Sequence, residues 1–449
     1  MTVKLLNSTI LTFASAAIAA IGLLADASAY AQGKEQFFPL LAYRTGPYAP
    51  NGTPWANGKQ DYLKMINERD GGINGVKITY EECETGYATD RGVECYERLK
   101  SKGPTGATAF DTQSTGITFA LTEKVQADKI PLITIGYGRS ESADGTAFKW
   151  NFPLYGTYWT AADIIIQQIA KKEGGLDKLK GKNIALVYLD APYGKEPIPV
   201  LKERAKMHGF DVQLLPVAAP GIEQKSTWLQ LRQSRPDYVI LWGWGVMNSA
   251  ALKEAQSTGF PREKMYGVYW SGTEPDVKDV GAGAKGYNAL NIQQAHGLSK
   301  ASEDILKLVH GKGAGTGPRE EVGTILYNQG MLVAMVTVEA VRRAQERFGK
   351  GKPMTGEQVR WGAENLQLDQ KRLDAIGVGN LLPPLKTSCS DHMGTAAARV
   401  QTWDGSKWVF TSEAATADMD VVKPIIKAAA DQYLSDKKQS RRTPEDCQS

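Results

Sequence analysis

From Phe37 onward, short apolar runs alternate with amphipathic stretches through the first half of the chain. Thr53 stands before Pro54, an N-cap residue followed by proline at the first helical position. Tyr62, Met65, Ile66 and Arg69 then share one helical face, which Gly71-Gly72 closes. Val76, Ile78 and Tyr80 alternate at period two, the mark of a strand with one buried face. The spacing predicts a helix over 90–102, a strand over 107–110, a helix over 115–128 and a buried apolar run over 130–135. Strand and helix thus alternate as in a doubly wound βαβ unit.

A second unit follows the same plan. Ala162, Ile165, Ile166 and Ile169 have helical spacing that stops at Gly174-Gly175, and 184–189 is a continuous aliphatic run suited to a strand buried on both faces. Further strands are expected over 211–217, 238–242 and 265–270, with a helix between each pair. Two open α/β sheets in one chain imply a cleft between them. Ligands of such sheets collect at the carboxyl ends of the strands, so the loops after each strand matter most. Past residue 286 the pattern changes. A long helical period over 319–348 carries Val322, Ile325, Leu326, Val333 and Val336; Pro383-Pro384 follows, and Asp404-Gly405 between two apolar runs reads as a hairpin turn. The tail over 437–449 is polar and expected to fray.

The first thirty residues break this pattern. Lys4 precedes an uncharged stretch over 10–25, and Ala27-Ser28-Ala29 and Ala29-Tyr30-Ala31 both offer the small-x-small pattern of a signal-peptidase site. We read a cleaved signal peptide over 1–31; the competing reading, a retained membrane anchor, has a run that is short for a span. The mature protein is then exported. Its 449-residue precursor has length for two or three domains, each able to bury a core. The 53 basic and 49 acidic residues are dispersed, without a basic block, which argues against nucleic acid as a partner. Export permits disulfides, and four cysteines allow three pairings. Cys83 with Cys95 is the favoured pair, because it closes a short strand-to-helix connection. Cys389, near Asp391 and His392, reads as a loop cysteine, since paired ligand spacing for a metal is missing. No cofactor is expected. Neither a Gly-x-Ser-x-Gly elbow nor a His-Glu-x-x-His stretch occurs, and an enzyme is not expected.

Several segments, taken in order, resemble periplasmic binding proteins for leucine, isoleucine and valine. They are Gly46-Pro47-Tyr48-Ala49-Pro50-Asn51-Gly52, Gly71-Gly72-Ile73-Asn74-Gly75, Lys129-Ile130-Pro131-Leu132-Ile133, Asp190-Ala191-Pro192-Tyr193-Gly194-Lys195 and Arg235-Pro236-Asp237-Tyr238-Val239-Ile240. Each is a common turn or strand by itself; their order and spacing carry the likeness, which covers 37–270 and, more loosely, the remainder to 410. The resemblance implies a type I periplasmic binding fold: two doubly wound α/β lobes joined by a three-strand hinge. It places 35–153 with 286–380 in the first lobe and 154–285 with 381–411 in the second, leaving 412–449 as a C-terminal extension. It also implies a monomer that delivers a small molecule to an ABC-type inner-membrane permease and its ATPase subunits. A sensor of the same fold, reporting to a membrane receptor, is the alternative.

The resemblance further implies a ligand-binding set: Asn51, Gln113, Ser114, Thr115, Tyr137, Gly138, Tyr193, Trp244 and Tyr269. Thr112 to Thr115 form a polar loop ahead of a helix, where hydroxyls and free N–H groups favour a carboxylate; helix capping is the competing reading. Tyr137 and Gly138 stand where relatives usually carry Ala and Thr, so a hydroxyl is lost, while Gly138 still admits close backbone approach. Arg139 offers a charged fork to an anion or is a solvated loop residue. Tyr193 lines the cleft in relatives, and Trp244, between two glycines, stands where an aromatic ring packs on the ligand. After Met265-Tyr266-Gly267 relatives carry an acid for the ligand ammonium; here Val268-Tyr269-Trp270-Ser271 follows, with Glu274 displaced. A free α-amino acid should therefore bind poorly. Aliphatic or aromatic acids and amides stand beside branched-chain amino acids as candidates. Arg44, where relatives are small or apolar, either adds positive charge near the cleft or pairs at the surface.

Overall fold

The computed structural model describes residues 34–294 and 296–447, so the signal-peptide reading lies outside the described residues. The first lobe opens with β1 (Glu35–Ala42), α1 (Ala49–Asp70), β2 (Lys77–Glu84), α2 (Thr89–Leu99), α3 (Thr115–Asp128), β3 (Leu132–Ile133) and β4 (Asn151–Phe152). β1 and β2 pair in parallel, single parallel bridges Phe37↔Ala107 and Phe110↔Leu132 join the segment 107–110, and β3 pairs with β4. The expected strand at 107–110 is thus only bridged at its ends, and the 130–135 run yields a two-residue strand. α1 begins a turn before Thr53, with Tyr48 at its N-cap and Pro54 inside; its end at Gly71, in the left-handed region at φ 67°, is as the sequence reads.

The second lobe runs α4 (Tyr158–Glu173), β5 (Asn183–Leu189), α5 (Ile198–His208), β6 (Asp211–Val217), α6 (Lys225–Ser234), β7 (Tyr238–Trp242), α7 (Val246–Ser257), β8 (Met265–Gly267) and β9 (Asn288–Asn291). Thr157 and Thr160 form a capping box that starts α4. β8 ends at Gly267 and the chain turns through Tyr269–Ser271, so the run expected to reach Trp270 as a strand is cut short. β10 (Ala397–Trp403) and β11 (Trp408–Phe410) form the hairpin foreseen around Asp404-Gly405 and extend this sheet antiparallel, in the order β11-β10-β9-β8-β7-β5-β6. β5 and β7 are buried almost throughout, as helices on both faces require.

Between β9 and β10 the chain returns to the first lobe as α8 (Lys300–Leu308), α9 (Ile325–Phe348) and α10 (Gly356–Glu364). α9 lies against α1 at contact distance. A Cβ on Gly330 would stand 1.9 Å from the Trp55 carbonyl oxygen, and one on Gly58 would stand 2.0 Å from that of Tyr327. These two glycines set how near α1 lies to α9, and so where Trp55 sits. One apolar cluster then continues through both lobes and across the cleft.

The C-terminal tail corrects the sequence reading. α11 (Met419–Lys437) packs on α4, α5 and the turn at Ser140–Ala143, and Tyr433 stacks on Phe148 at 4.3 Å. Beyond it the polar tail is held rather than frayed: Arg441 pairs with Asp431 and Asp144, Arg442 with Glu364 at 2.5 Å, and Cys447 is bonded to Cys389. Polarity signals fraying only where nothing opposite satisfies the charges, and here the carboxylates of Asp431, Asp144 and Glu364 do. Cys389 is therefore a disulfide cysteine, and Cys83 pairs with Cys95 as favoured. His392 is buried, within hydrogen-bond distance of the Asn151 carbonyl at 2.7 Å and of Glu364 at 3.3 Å. The described residues contain no cluster of metal-ligating groups.

Candidate functional site

The carboxyl ends of both sheets face one another, and their loops meet in a cleft. From the first lobe come Trp55 on α1, Tyr87 after β2, Gln113, Ser114 and Thr115 ahead of α3, and Tyr137 after β3. The second lobe supplies Tyr158 at the start of α4, Tyr193 after β5, Trp244 after β7 and Trp270 after β8. The lobes touch here. Space open to the centre of a water molecule is about 20 Å³, room for roughly one water.

Of the residues named from sequence, Gln113, Ser114, Thr115, Tyr137, Tyr193 and Trp244 line this cavity. Ser114 is the N-cap of α3 and its Oγ accepts from the Ile117 N–H at 3.4 Å, so capping and cavity lining coexist. Gln113 has φ 50°, in the left-handed region, and is 3% exposed. Its N–H donates to the Tyr137 hydroxyl at 2.9 Å, while neither atom of its side-chain amide has a partner in the protein. Tyr137 in turn bonds Asp111 through its hydroxyl, and Asp111 pairs with Lys59 at 3.1 Å, both nearly fully buried. Burial first, and the Asp111 charge next, hold the Tyr137 phenol well above its ordinary range, so it stays neutral. The Tyr193 hydroxyl donates to the Gly243 carbonyl at 2.8 Å, which fixes its ring against the cleft.

Gly138, Asn51 and Tyr269 sit behind the lining. A Cβ on Gly138 would fall 2.7 Å from both Glu196 Oε1 and Thr115 Cγ2, so glycine is what allows these groups to meet. The Asn51 amide donates to Thr273 Oγ1 at 3.4 Å, and the Tyr269 hydroxyl donates to the Gly136 carbonyl; each bond joins one lobe to the other. Glu274 is likewise spent between lobes, its carboxylate accepting from the Ile325 N–H at 3.1 Å. The other two charges resolve away from the cavity. Arg44 pairs with Glu82 at 2.6 Å, and Arg139 pairs with Glu141 at 2.6 Å amid Phe119, Phe148 and Tyr433.

Sequence reasoning missed Trp55, Tyr87, Tyr158 and Glu196, and named Trp270 within the segment that stands where relatives carry an acid. Tyr87 and Trp270 follow strands, where the loop rule points; Trp55 and Tyr158 lie on helices, and only packing brings them in. Glu196 is 7% exposed and accepts from Ser140 in the opposite lobe through both its N–H and Oγ. Burial first and the Glu141 carboxylate next push its carboxyl up to about 8. No acid is among the residues that line the cavity, whose polar groups are the hydroxyls of Tyr, Ser and Thr, the Gln113 amide and the indole N–H groups.

A two-lobed α/β clamshell whose cleft lies at facing strand ends defines a class of small-molecule binding proteins. A profile described as periplasmic binding protein matches residues 35–407, and the chain belongs to that family. A solved structure described as an ABC transporter permease from the Pseudomonas fluorescens group is 42% identical, with TM-score 0.85, covering 92% of this chain and 99% of its own. A branched-chain amino acid ABC transporter from Thermus thermophilus, with bound valine, is 21% identical with TM-score 0.73, over 88% and 99%. A solute-binding protein of an ABC transporter from Rhodopseudomonas palustris BisB5, in complex with 3,4-dihydroxybenzoic acid, is 15% identical with TM-score 0.66, over 87% and 99%. The last two share the fold. A search of the curated proteins finds no match.

Proposed function

We propose that this chain is the solute-binding component of an ABC importer, capturing a small carboxylate-bearing organic molecule outside the cytoplasm and handing it unaltered to an inner-membrane permease. One observation carries the reading. At the N-terminus of α3, Gln113 is buried with both amide atoms unpartnered and lines a cleft shared by two lobes. A buried amide without a partner costs free energy unless something else satisfies it. A carboxylate seated against Gln113, Ser114 and Thr115 would accept from the Gln113 amide N–H, aided by the helix dipole, while the amide oxygen takes a donor from a water or from a hydroxyl of the ligand.

Capture works by hinge closure. Open and closed forms coexist, and a ligand favours closure because only the closed form lets it touch both lobes. The lobe-to-lobe contacts of Asn51, Tyr269, Glu196 and Glu274 add to the same equilibrium. Membership of a periplasmic family and two disulfides, which are stable in an oxidising compartment, support capture outside the cytoplasm. A thermal-shift screen across amino acids, amides, aliphatic acids and aromatic acids tests the reading, because a ligand bound only by the native state raises the melting temperature. The double variant Ser114→Ala with Thr115→Ala should weaken a carboxylate by about 1–3 kcal/mol in calorimetry. Unaltered affinity would remove this loop from the site.

A further inference from the structure

We infer that the cleft selects a planar aromatic acid lacking an ammonium group, gripped between the indole faces of Trp55 and Trp270; this rests on reading the cleft as the solute site. The two rings come from opposite lobes. Their centroids are 5.0 Å apart and their planes differ by 13°. Tyr137 stands edge-on to both at 6.2 Å, and Trp244 edge-on to Trp270 at 5.8 Å with an interplanar angle of 82°. The two parallel faces are stacked on one another and flanked by perpendicular rings, so they become the walls of a slot when the lobes part.

A flat ring between two indole faces needs about 3.5 Å on each side, roughly 7 Å from wall to wall. A hinge opening of a few ångströms provides that, and closure then stacks the ligand on both sides at once. A branched aliphatic chain is thicker and offers no flat face, so it holds the walls apart without filling them.

The polar lining sets the charge. Trp55 and Trp270 are 2% and 5% exposed, and the indole N–H of each has no acceptor in the protein. An indole N–H can only donate. These N–H groups lie in the ring planes, so with the Gln113 amide N–H and the start of α3 they supply donors at the rim of the slot, where a carboxylate carried on the edge of a stacked ring would sit. The nearby acids are already engaged: Asp111 by Lys59 and Tyr137, Glu196 by Ser140, and Asp276 by Asn248 and Thr273. A primary ammonium entering the slot would lose its water and gain no carboxylate, at a cost of several kcal/mol. A quaternary ammonium would enjoy the ring faces but leave the buried donors unpaired.

Calorimetry and tryptophan-fluorescence titration with benzoate, cyclohexanecarboxylate, phenylalanine, leucine and choline test each part separately. Benzoate should bind and quench the fluorescence. Cyclohexanecarboxylate, which keeps the charge and loses planarity, should bind at least about tenfold more weakly, as should phenylalanine, which keeps the ring and adds the ammonium. Trp55→Leu should lose about tenfold for benzoate, with Trp55→Phe recovering most of it and showing that loss of a ring face, rather than misfolding, is responsible. Phenylalanine, leucine, choline or cyclohexanecarboxylate binding as tightly as benzoate overturns the inference and leaves the solute-binding reading standing. Failure of every small organic molecule to bind overturns both.

Discussion

Glu196→Gln isolates a charge that closure of the clamshell keeps neutral. Glu196, on the second lobe, is 7% exposed, and the Ser140 N–H and Oγ of the first lobe donate to its Oε2. The charged groups facing it are Glu141 and Arg139, and burial with the Glu141 charge raises its pKa from 4.5 to about 8. Because the folded value lies above the unfolded one, the native protein keeps a proton that the unfolded chain has released. The stabilisation is complete below about pH 4.5 and is lost as pH rises through about 8. Between about pH 6.5 and 8.5, a shift of this size removes about 2 kcal/mol, roughly a thirtyfold change in equilibrium constant. Glutamine keeps an acceptor for Ser140 and does not titrate. Urea denaturation at closely spaced pH values should show wild type losing stability relative to Glu196→Gln as pH rises, and a donor–acceptor fluorescence pair on the two lobes should report opening over the same interval. Parallel pH profiles for the two proteins would refute the reasoning.

Other consequences follow from particular contacts. Lys59→Met leaves the Asp111 carboxylate buried beside Tyr137 without its cation and should cost about 3–5 kcal/mol in chemical denaturation. Cys389→Ser removes a cross-link between residues 58 apart, worth up to about 4 kcal/mol by loop entropy, and should lower the melting temperature of the oxidised protein. Unchanged midpoints would mean that the Arg441 and Arg442 pairs alone hold the tail. Gly330→Ala places a methyl group against the Trp55 carbonyl and should destabilise by about 1–3 kcal/mol while displacing Trp55 from Trp270, visible as altered tryptophan emission.

Much of the architecture is legible locally. The strand at Tyr238–Trp242 and the helix at Thr115–Asp128 coincide with their apolar periods, because both faces of a buried strand, or one face of a helix, must be apolar wherever they fold; the half-exposed edge strand Asp211–Val217 is legible from its β-forming run alone. Helix starts are less legible: Thr53-Pro54 is a good N-cap signal, yet α1 begins earlier because its first turn packs at the lobe interface. The tail was misjudged for the same reason, since the carboxylates that hold Arg441 and Arg442 lie about ten, eighty and three hundred residues away in the chain.

The candidate site divides along the same line. Gln113, Ser114 and Thr115 sit at a strand-to-helix junction, and such a junction exposes donors by its own geometry, so residue order alone pointed to them. Pairing Trp55 with Trp270 needs two glycine-set helix contacts and a hinge bringing opposite lobes together. Hydrophobic period and capping act over a few residues and are written locally in the chain, whereas the width and chemistry of a cleft depend on distances between segments that the chain order leaves free.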